Sequence, residues 1–152
     1  MPVTDLFALP GSGPLLGIDP GSKTLGIAAC DAGRLIASPV ETIRKGRKLA
    51  PALDRLFAII DERGTVGLII GLPLNMDGSE GPRVQSAKAL ARNIISRRDM
   101  PIAFQDERLT STEAERAMIA GDLSRARRAE LIDASAAAII LQTAIDRLAN
   151  AS

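Results

Sequence analysis

The chain has 152 residues, a formal net charge of +1, a single cysteine and no histidine, tryptophan or tyrosine. The absence of histidine excludes a Ser-His-Asp triad, a Cys-His pair and a His-ligated zinc site, and the shortage of aromatic residues argues against base stacking on an aromatic platform. A lone cysteine forms no intrachain disulfide and no apolar run is long enough to span a bilayer, so we expect a cytoplasmic protein without a membrane partner.

The first part of the chain predicts a leader followed by three strands. Residues 1–14, MPVTDLFALPGSGP, lack a basic region and are interpreted as a flexible leader rather than a secretory signal. The runs 15–19, 25–31 and 34–43 are rich in apolar residues and are separated by short turns. This pattern predicts an antiparallel meander.

The remaining chain alternates between helical and strand patterns. We predict helices over 49–64, 83–98, 110–121 and 133–149, and strands over 66–73 and 101–105. Pro51 in the first turn and Gly64 at the end of the first of these helices occupy positions that favour those residues. The order of elements is typical of one mixed α/β domain.

Acidic residues stand at the ends of several predicted elements. Asp19 ends the first strand, Asp106 and Glu107 follow the last strand, and Asp133 opens the last helix on its apolar face. Carboxylates from separate elements that converge outside strand ends suit Mg²⁺ or Mn²⁺. Two such ions about 3.5–4 Å apart hydrolyse phosphodiesters without any histidine.

Each acid also has a local explanation. An aspartate before Pro-Gly, such as Asp19, is common in turns, and aspartate is a favoured N-cap, which would account for Asp133. The Asp-Glu-Arg sequence at 106–108 is compatible with a surface ion-pair cluster. Taken singly, each local explanation is about as good as the functional one, but the set of three favours a metal site.

Four segments resemble the YqgF (RuvX) family in order and spacing: GIDPGSKTLGIA, LIIGLPLNMDGSEG, QDERLTSTEAE and LIDASAAAIILQ. The resemblance runs from about Leu15 to Leu148. It implies one RNase H-like nuclease domain over 15–150, whose five-stranded mixed sheet joins the antiparallel meander to parallel strands and has flanking helices. It also implies a metal-dependent nuclease in the 5′-end maturation of pre-16S rRNA.

Carried over by motif, the catalytic acids of that family fall on Asp19, on the pair Asp106 and Glu107, and on Asp133. Because side chains alternate along a strand, the two acids of the pair should face opposite sides of the sheet. We therefore expect Glu107, rather than Asp106, to join Asp19 and Asp133 as a ligand of Mg²⁺ or Mn²⁺.

Six residues are predicted to bind substrate: Lys23, Asn75, Ser79, Arg125, Arg127 and Arg128. A further basic segment lies at 44–48. Side chains of this kind contact the phosphate backbone and recognise little of the base sequence. The alternatives are a solvated turn lysine at Lys23 and ordinary turn chemistry around the Asp77-Gly78 pair.

Other functions stay open at this point. The resolvases that this family resembles carry a glutamate near the end of the strand that here contains Gly71, and the second acid has moved to the next strand. That change disfavours Holliday junction cleavage, although a junction-cutting DNA endonuclease and a catalytically silent nucleic-acid or ribosome-binding module remain alternatives. The expected partners are pre-rRNA and the small ribosomal subunit, with a monomer or a homodimer as the acting species.

Overall fold

Six strands form one sheet with helices on both faces. The computed structural model describes residues 3–75, 77–107 and 125–150, including the side chains of 5–75, 77–107 and 134–150. The strands are β1 (Val3–Thr4), β2 (Leu15–Pro20), β3 (Thr24–Cys30), β4 (Ser38–Arg44), β5 (Gly67–Leu72) and β6 (Ile102–Asp106). The helices are α1 (Ala50–Arg63), α2 (Pro82–Arg97) and α3 (Arg125–Asn150), with a short 3-10 helix at Leu6–Ala8.

The strand order β1-β6-β5-β2-β3-β4 places the sequence motifs side by side. Strands β2, β3 and β4 are antiparallel neighbours, as predicted for the meander, whereas β2, β5, β6 and β1 are joined by parallel pairings. The carboxyl ends of β2, β5 and β6 therefore lie along the same edge of the sheet. We call this edge the carboxyl edge.

The two faces of the sheet are covered by different helices. Alternate apolar residues of β2, among them Leu16 and Ile18, pack in one core cluster with the buried faces of α1 and α2. The other side of β2, beginning with Leu15, packs in a second cluster with the alanine-rich face of α3. Burial on both faces explains why β2 reads as a nearly continuous apolar run.

The N-terminal segment does not form the free leader that was predicted. Val3 and Thr4 pair in parallel with β6 and add a sixth strand to the sheet. Leu6 and Leu9 are buried in the cluster under α3. The prediction was wrong because two leucines of this segment complete a core face and its backbone satisfies the open hydrogen-bonding edge of β6.

Two other boundaries differ from the prediction. Strand β4 starts at Ser38, four residues later than expected from 34–43, because Arg34 takes a left-handed conformation (φ 54°) after the turn at Asp31. Helix α3 already includes Arg125, so Asp133 lies inside the helix and is not its N-cap. Residues 125–132 are mostly good helix formers, so they extend the helix toward the N-terminus.

The other predicted elements are confirmed to within two residues where they are described. Gly64 ends α1 in the left-handed conformation (φ 63°, ψ 36°), and its N–H donates to the carbonyls of Ile60 and Asp61. The helix predicted over 110–121 lies outside the described residues. No helix of the described part is long and apolar enough to cross a bilayer.

Candidate active site

Asp19 lies at the carboxyl edge, half-buried near the end of β2 and opposite Gly26 of β3. Side chains alternate along a strand, so Asp19 shares the face of β2 that carries Leu15 and Gly17. Leu15 packs against the α3 side of the sheet. Asp19 therefore points to the α3 face, at the end of a strand whose other residues are almost all buried.

Glu107 reaches the same face from the end of β6. A Cβ atom built on Gly71 would lie 3.3 Å from both Cγ and Cδ of Glu107 and 2.6 Å from Cδ1 of Ile140 in α3. The Glu107 side chain therefore fills the space beside Gly71 that a larger residue there would need. Gly71 follows Ile70, the partner of Ile18, so this space adjoins Asp19 across the sheet.

The electrostatics show that these two acids interact. Burial raises the pKa of the Glu107 carboxyl, and the negative charge of Asp19 raises it further, while Arg83 opposes the shift and Asp106 adds to it. Desolvation and a nearby like charge both disfavour the ionised form of a carboxyl group. The arrangement places two mutually repelling carboxylates at one point of the carboxyl edge.

The raised pKa of Glu107 gives a prediction for the metal-free protein. Its folded-state pKa lies above the ordinary value of 4.5. Between these two pKa values the folded state therefore holds a proton that the unfolded chain has lost, and stability falls as the pH rises through this window. We expect Glu107→Gln to raise the melting temperature at pH 7, and we expect that gain to vanish as the pH falls below 4.5.

Thermal melts of the wild type and of Glu107→Gln in EDTA, from acid to neutral pH, measure this difference in melting temperature. Glu62→Gln is the matched control, because its side chain in α1 is 64% exposed and its contact with Arg55 is long at 3.9 Å. A Glu107→Gln variant that is no more stable than the wild type at pH 7, or whose gain is independent of pH, would contradict the assignment.

Asp106 and Asp133 differ in their positions relative to Asp19 and Glu107. Strand alternation places Asp106 on the face of β6 that carries Ile102 and Phe104, which pack with α1 and α2. Asp133 lies in α3 one turn before Ala137, whose carbonyl oxygen would be 2.8 Å from a Cβ on Gly17. The side chain of Asp133 is outside the described set, and no group of three potential metal-ligating side chains occurs within that set.

A cleft of about 530 Å³ opens beside Glu107. It is lined by Pro73, Leu74, Asn75, Gly81, Pro82, Arg83 and Glu107. Its walls are the loop that follows β5 and the first turn of α2. Arg83 was not among the predicted site residues, although its position in the first turn after the GLPLNMDGSEG motif would have indicated it.

The other predicted substrate contacts are placed as follows. Lys23 is exposed in the hairpin after Asp19, and its carbonyl accepts a hydrogen bond from the N–H of Lys45 (2.8 Å), which brings the basic segment 44–48 to the carboxyl edge. Asn75 lines the cleft, but the Ser79 hydroxyl is engaged within the loop, where it accepts from Asn75 Nδ2 (3.0 Å) and donates to Asp77 (2.6 Å). The side chains of Arg125, Arg127 and Arg128 lie outside the described residues.

A buried glutamine supports the end of β6. Gln105 is 1% exposed; its Oε1 accepts from Arg147 of α3 (2.8 Å), and its Nε2 donates to the carbonyl of Asp106 (3.1 Å). Since these bonds satisfy a polar group that would be costly to bury alone, they fix the backbone from which Glu107 projects. The hydrogen bond between Arg147 and Gln105 joins residues 42 positions apart, so no local sequence pattern predicts it.

Comparison with solved structures confirms the expected fold class. The RuvC of Thermus thermophilus, in complex with a Holliday junction substrate, superposes with a TM-score of 0.54 at 13% sequence identity over 90% of this chain and 96% of that one. The yeast mitochondrial Holliday junction resolvase Ydc2 superposes with a TM-score of 0.53 at 12% identity over 90% of this chain and 79% of that one. At these identities the likeness establishes the RNase H-like fold alone.

Sequence comparison is far more specific. A protein of Cereibacter sphaeroides named "Putative pre-16S rRNA nuclease" is 54% identical over 143 residues, which are 94% of this chain and 89% of that protein. A protein of Paracoccus denitrificans with the same name is 52% identical over 93% of this chain and 89% of its own length. The family profile described as "RuvX: Holliday junction resolvase" matches residues 13–147. The predicted resemblance is confirmed, and this chain belongs to the RuvX family.

Proposed function

We propose that this protein is a divalent-metal-dependent nuclease that matures the 5′ end of pre-16S rRNA, with Asp19, Glu107 and Asp133 as metal ligands. The observation that carries the proposal is the pairing of Asp19 and Glu107. These acids come from different strands, yet they lie close enough at the carboxyl edge for the charge of one to raise the pKa of the other. The names of relatives more than 50% identical over nine-tenths of the chain support RNA as the substrate.

The donor chemistry of the pair fits a hard divalent cation. Carboxylate oxygens are the ligands that Mg²⁺ and Mn²⁺ prefer, and a cation would relieve the repulsion between Asp19 and Glu107. When bound, such an ion activates water and stabilises the leaving oxygen of a phosphodiester. Asp133 is assigned as the third ligand because α3 runs across the same face of the sheet as Asp19.

The basic residues beside the pair would hold the substrate backbone. Lys23 and the segment 44–48, which contains Arg44, Lys45, Arg47 and Lys48, lie at the carboxyl edge next to Asp19. Such side chains neutralise phosphates without reading bases, so binding should weaken steeply with salt. We infer that shape, and contacts with the small ribosomal subunit in the cytoplasm, select the precursor.

The test is cleavage of a 5′-extended 16S rRNA precursor by the purified protein in Mg²⁺ or Mn²⁺, with EDTA as the metal-free control. A four-way DNA junction of equal concentration is assayed beside it. Cutting of the RNA alone, abolished by EDTA, supports the proposal. Cutting of the junction alone would replace it with resolvase activity, and metal-independent cutting would remove the proposed role of the carboxylates.

A further inference from the structure

The cleft beside Glu107 combines features that the proposed metal site does not use. One wall is the turn Pro73–Leu74, and the other is Pro82 with Arg83 in the first turn of α2. Its volume, about 530 Å³, lies within the range of small-ligand sites, about 300–1,000 Å³. It is therefore large enough for one nucleotide.

The charge of Arg83 is available to a ligand. Within the described part of the chain its exposed guanidinium makes no hydrogen bond or salt bridge, and its positive charge lowers the pKa of Glu107. The arginines at the other end of the same helix are paired, since Arg97 bonds Asp54 and Arg98 bonds Asp61, each at 2.7 Å. Arg83 thus presents a cation at the rim of the cleft, beside a carboxylate proposed to hold the metal.

A second polar group of the cleft, the side chain of Asn75, is held in place by its own loop. The Asn75 backbone N–H donates to the Ser79 carbonyl (3.0 Å), and Asn75 Nδ2 donates to the Ser79 hydroxyl (3.0 Å). These bonds use one of the two amide N–H donors, and within the described residues the other donor and Oδ1 make no hydrogen bond. An oriented amide of this kind can recognise a base edge or a ribose hydroxyl.

We propose that this cleft binds a single unpaired nucleotide next to the bond that is cut, with Arg83 on its phosphate and Asn75 on its base or ribose. The inference rests on the proposed function, because it takes the scissile phosphate to lie at Asp19 and Glu107. The apolar surfaces of Pro73, Leu74 and Pro82 would contact the base or sugar. A nucleotide held in a duplex keeps its base stacked and paired, so its base does not reach these walls.

The experiment measures binding without cleavage. Fluorescence anisotropy in EDTA gives the affinity of the full-length protein for a labelled single-stranded oligonucleotide from the precursor's 5′ leader and for the same strand in a duplex, at several salt concentrations. For Arg83→Ala we expect about tenfold weaker single-strand binding, as for a lost charge-assisted hydrogen bond. The slope of log K against log salt should become shallower by about 0.7, the value for one phosphate contact on a single strand.

Arg92→Ala is the matched control. Arg92 is another exposed arginine of α2, nine residues further along and therefore on the opposite side of the helix. We expect its variant to bind like the wild type, Arg83→Lys to keep part of the affinity, and duplex binding to change little in any variant.

The outcomes separate this inference from the proposed function. Equal losses for single strand and duplex would overturn the unpaired-nucleotide site, and unchanged binding in Arg83→Ala would remove Arg83 from the interface. The binding assay contains no metal and measures no cleavage. Its result for Arg83→Ala therefore tests the nucleotide site even if the protein does not cut RNA in the metal assay. Thermal melts of each variant verify that it is folded.

Discussion

Asp19→Asn should reduce metal-dependent cleavage by roughly a thousandfold, because a metal ligand supplies several kcal/mol of transition-state stabilisation. The substitution keeps the shape of the side chain and removes its charge. The variant should fold as well as the wild type, since it also removes the charge that acts on Glu107. Substrate affinity in EDTA should be unchanged or higher, because one negative charge near the phosphates is gone.

Single-turnover cleavage of the 5′-extended precursor and anisotropy in EDTA measure these two effects separately. Asp31→Asn is the matched control. Asp31 follows β3 at the opposite end of the sheet, where its Oδ1 accepts from the N–H groups of Gly33 (3.0 Å) and Arg34 (3.2 Å), a role that asparagine can also fill. Full activity in Asp19→Asn would show that Asp19 is a turn residue and not a metal ligand, and equal losses in both variants would point to a general effect of charge.

Gly17→Ala should destabilise the protein by about 1–3 kcal/mol, although it adds a single methyl group. A Cβ at Gly17 would lie 2.7 Å from Cβ of Leu141 and 2.8 Å from the carbonyl oxygen of Ala137. One of these neighbours is backbone, so rotation of a side chain cannot make room and α3 must shift. Because α3 also carries Ile140 against the space beside Gly71, cleavage should fall as well.

Gly46→Ala is the matched control for this prediction. A Cβ on Gly46 would meet nothing within 4 Å, so the same chemical change should be neutral or slightly stabilising, by about 0.4–1 kcal/mol at most. Urea unfolding of the two variants gives the difference directly. If Gly17→Ala unfolds at the wild-type midpoint, α3 does not lie as close to β2 as the structure places it.

Local patterns in the sequence were sufficient for most of the secondary structure. Apolar runs located β2, β3, β5 and β6 because strands that are buried on both faces leave few polar positions, here mainly near the strand ends. Gly64 marked the end of α1 because the left-handed conformation there suits glycine. The same patterns misjudged the N-terminal segment, whose burial depends on the unfilled edge of β6 and on α3.

The candidate acids were also visible in the sequence, because charged residues at the ends of apolar strands are conspicuous. Strand alternation assigned Glu107 and Asp106 to opposite faces from local geometry alone. Whether Glu107 meets Asp19 depended on the strand order, which sets β5 between their strands, and on Gly71, which leaves space for the longer acid. No local pattern contains that information.

The sequence by itself determined the elements, the candidate acids and, through its motifs, the family. Only the tertiary structure decided that Arg83 stands beside Glu107, that Arg147 satisfies Gln105, and that the N-terminal segment completes the sheet. The physical reason is that alternation, helical periodicity and capping act over a few residues. The charges and contacts that form the site act between residues distant in the chain, which only the packing of α2, α3 and the sheet brings together.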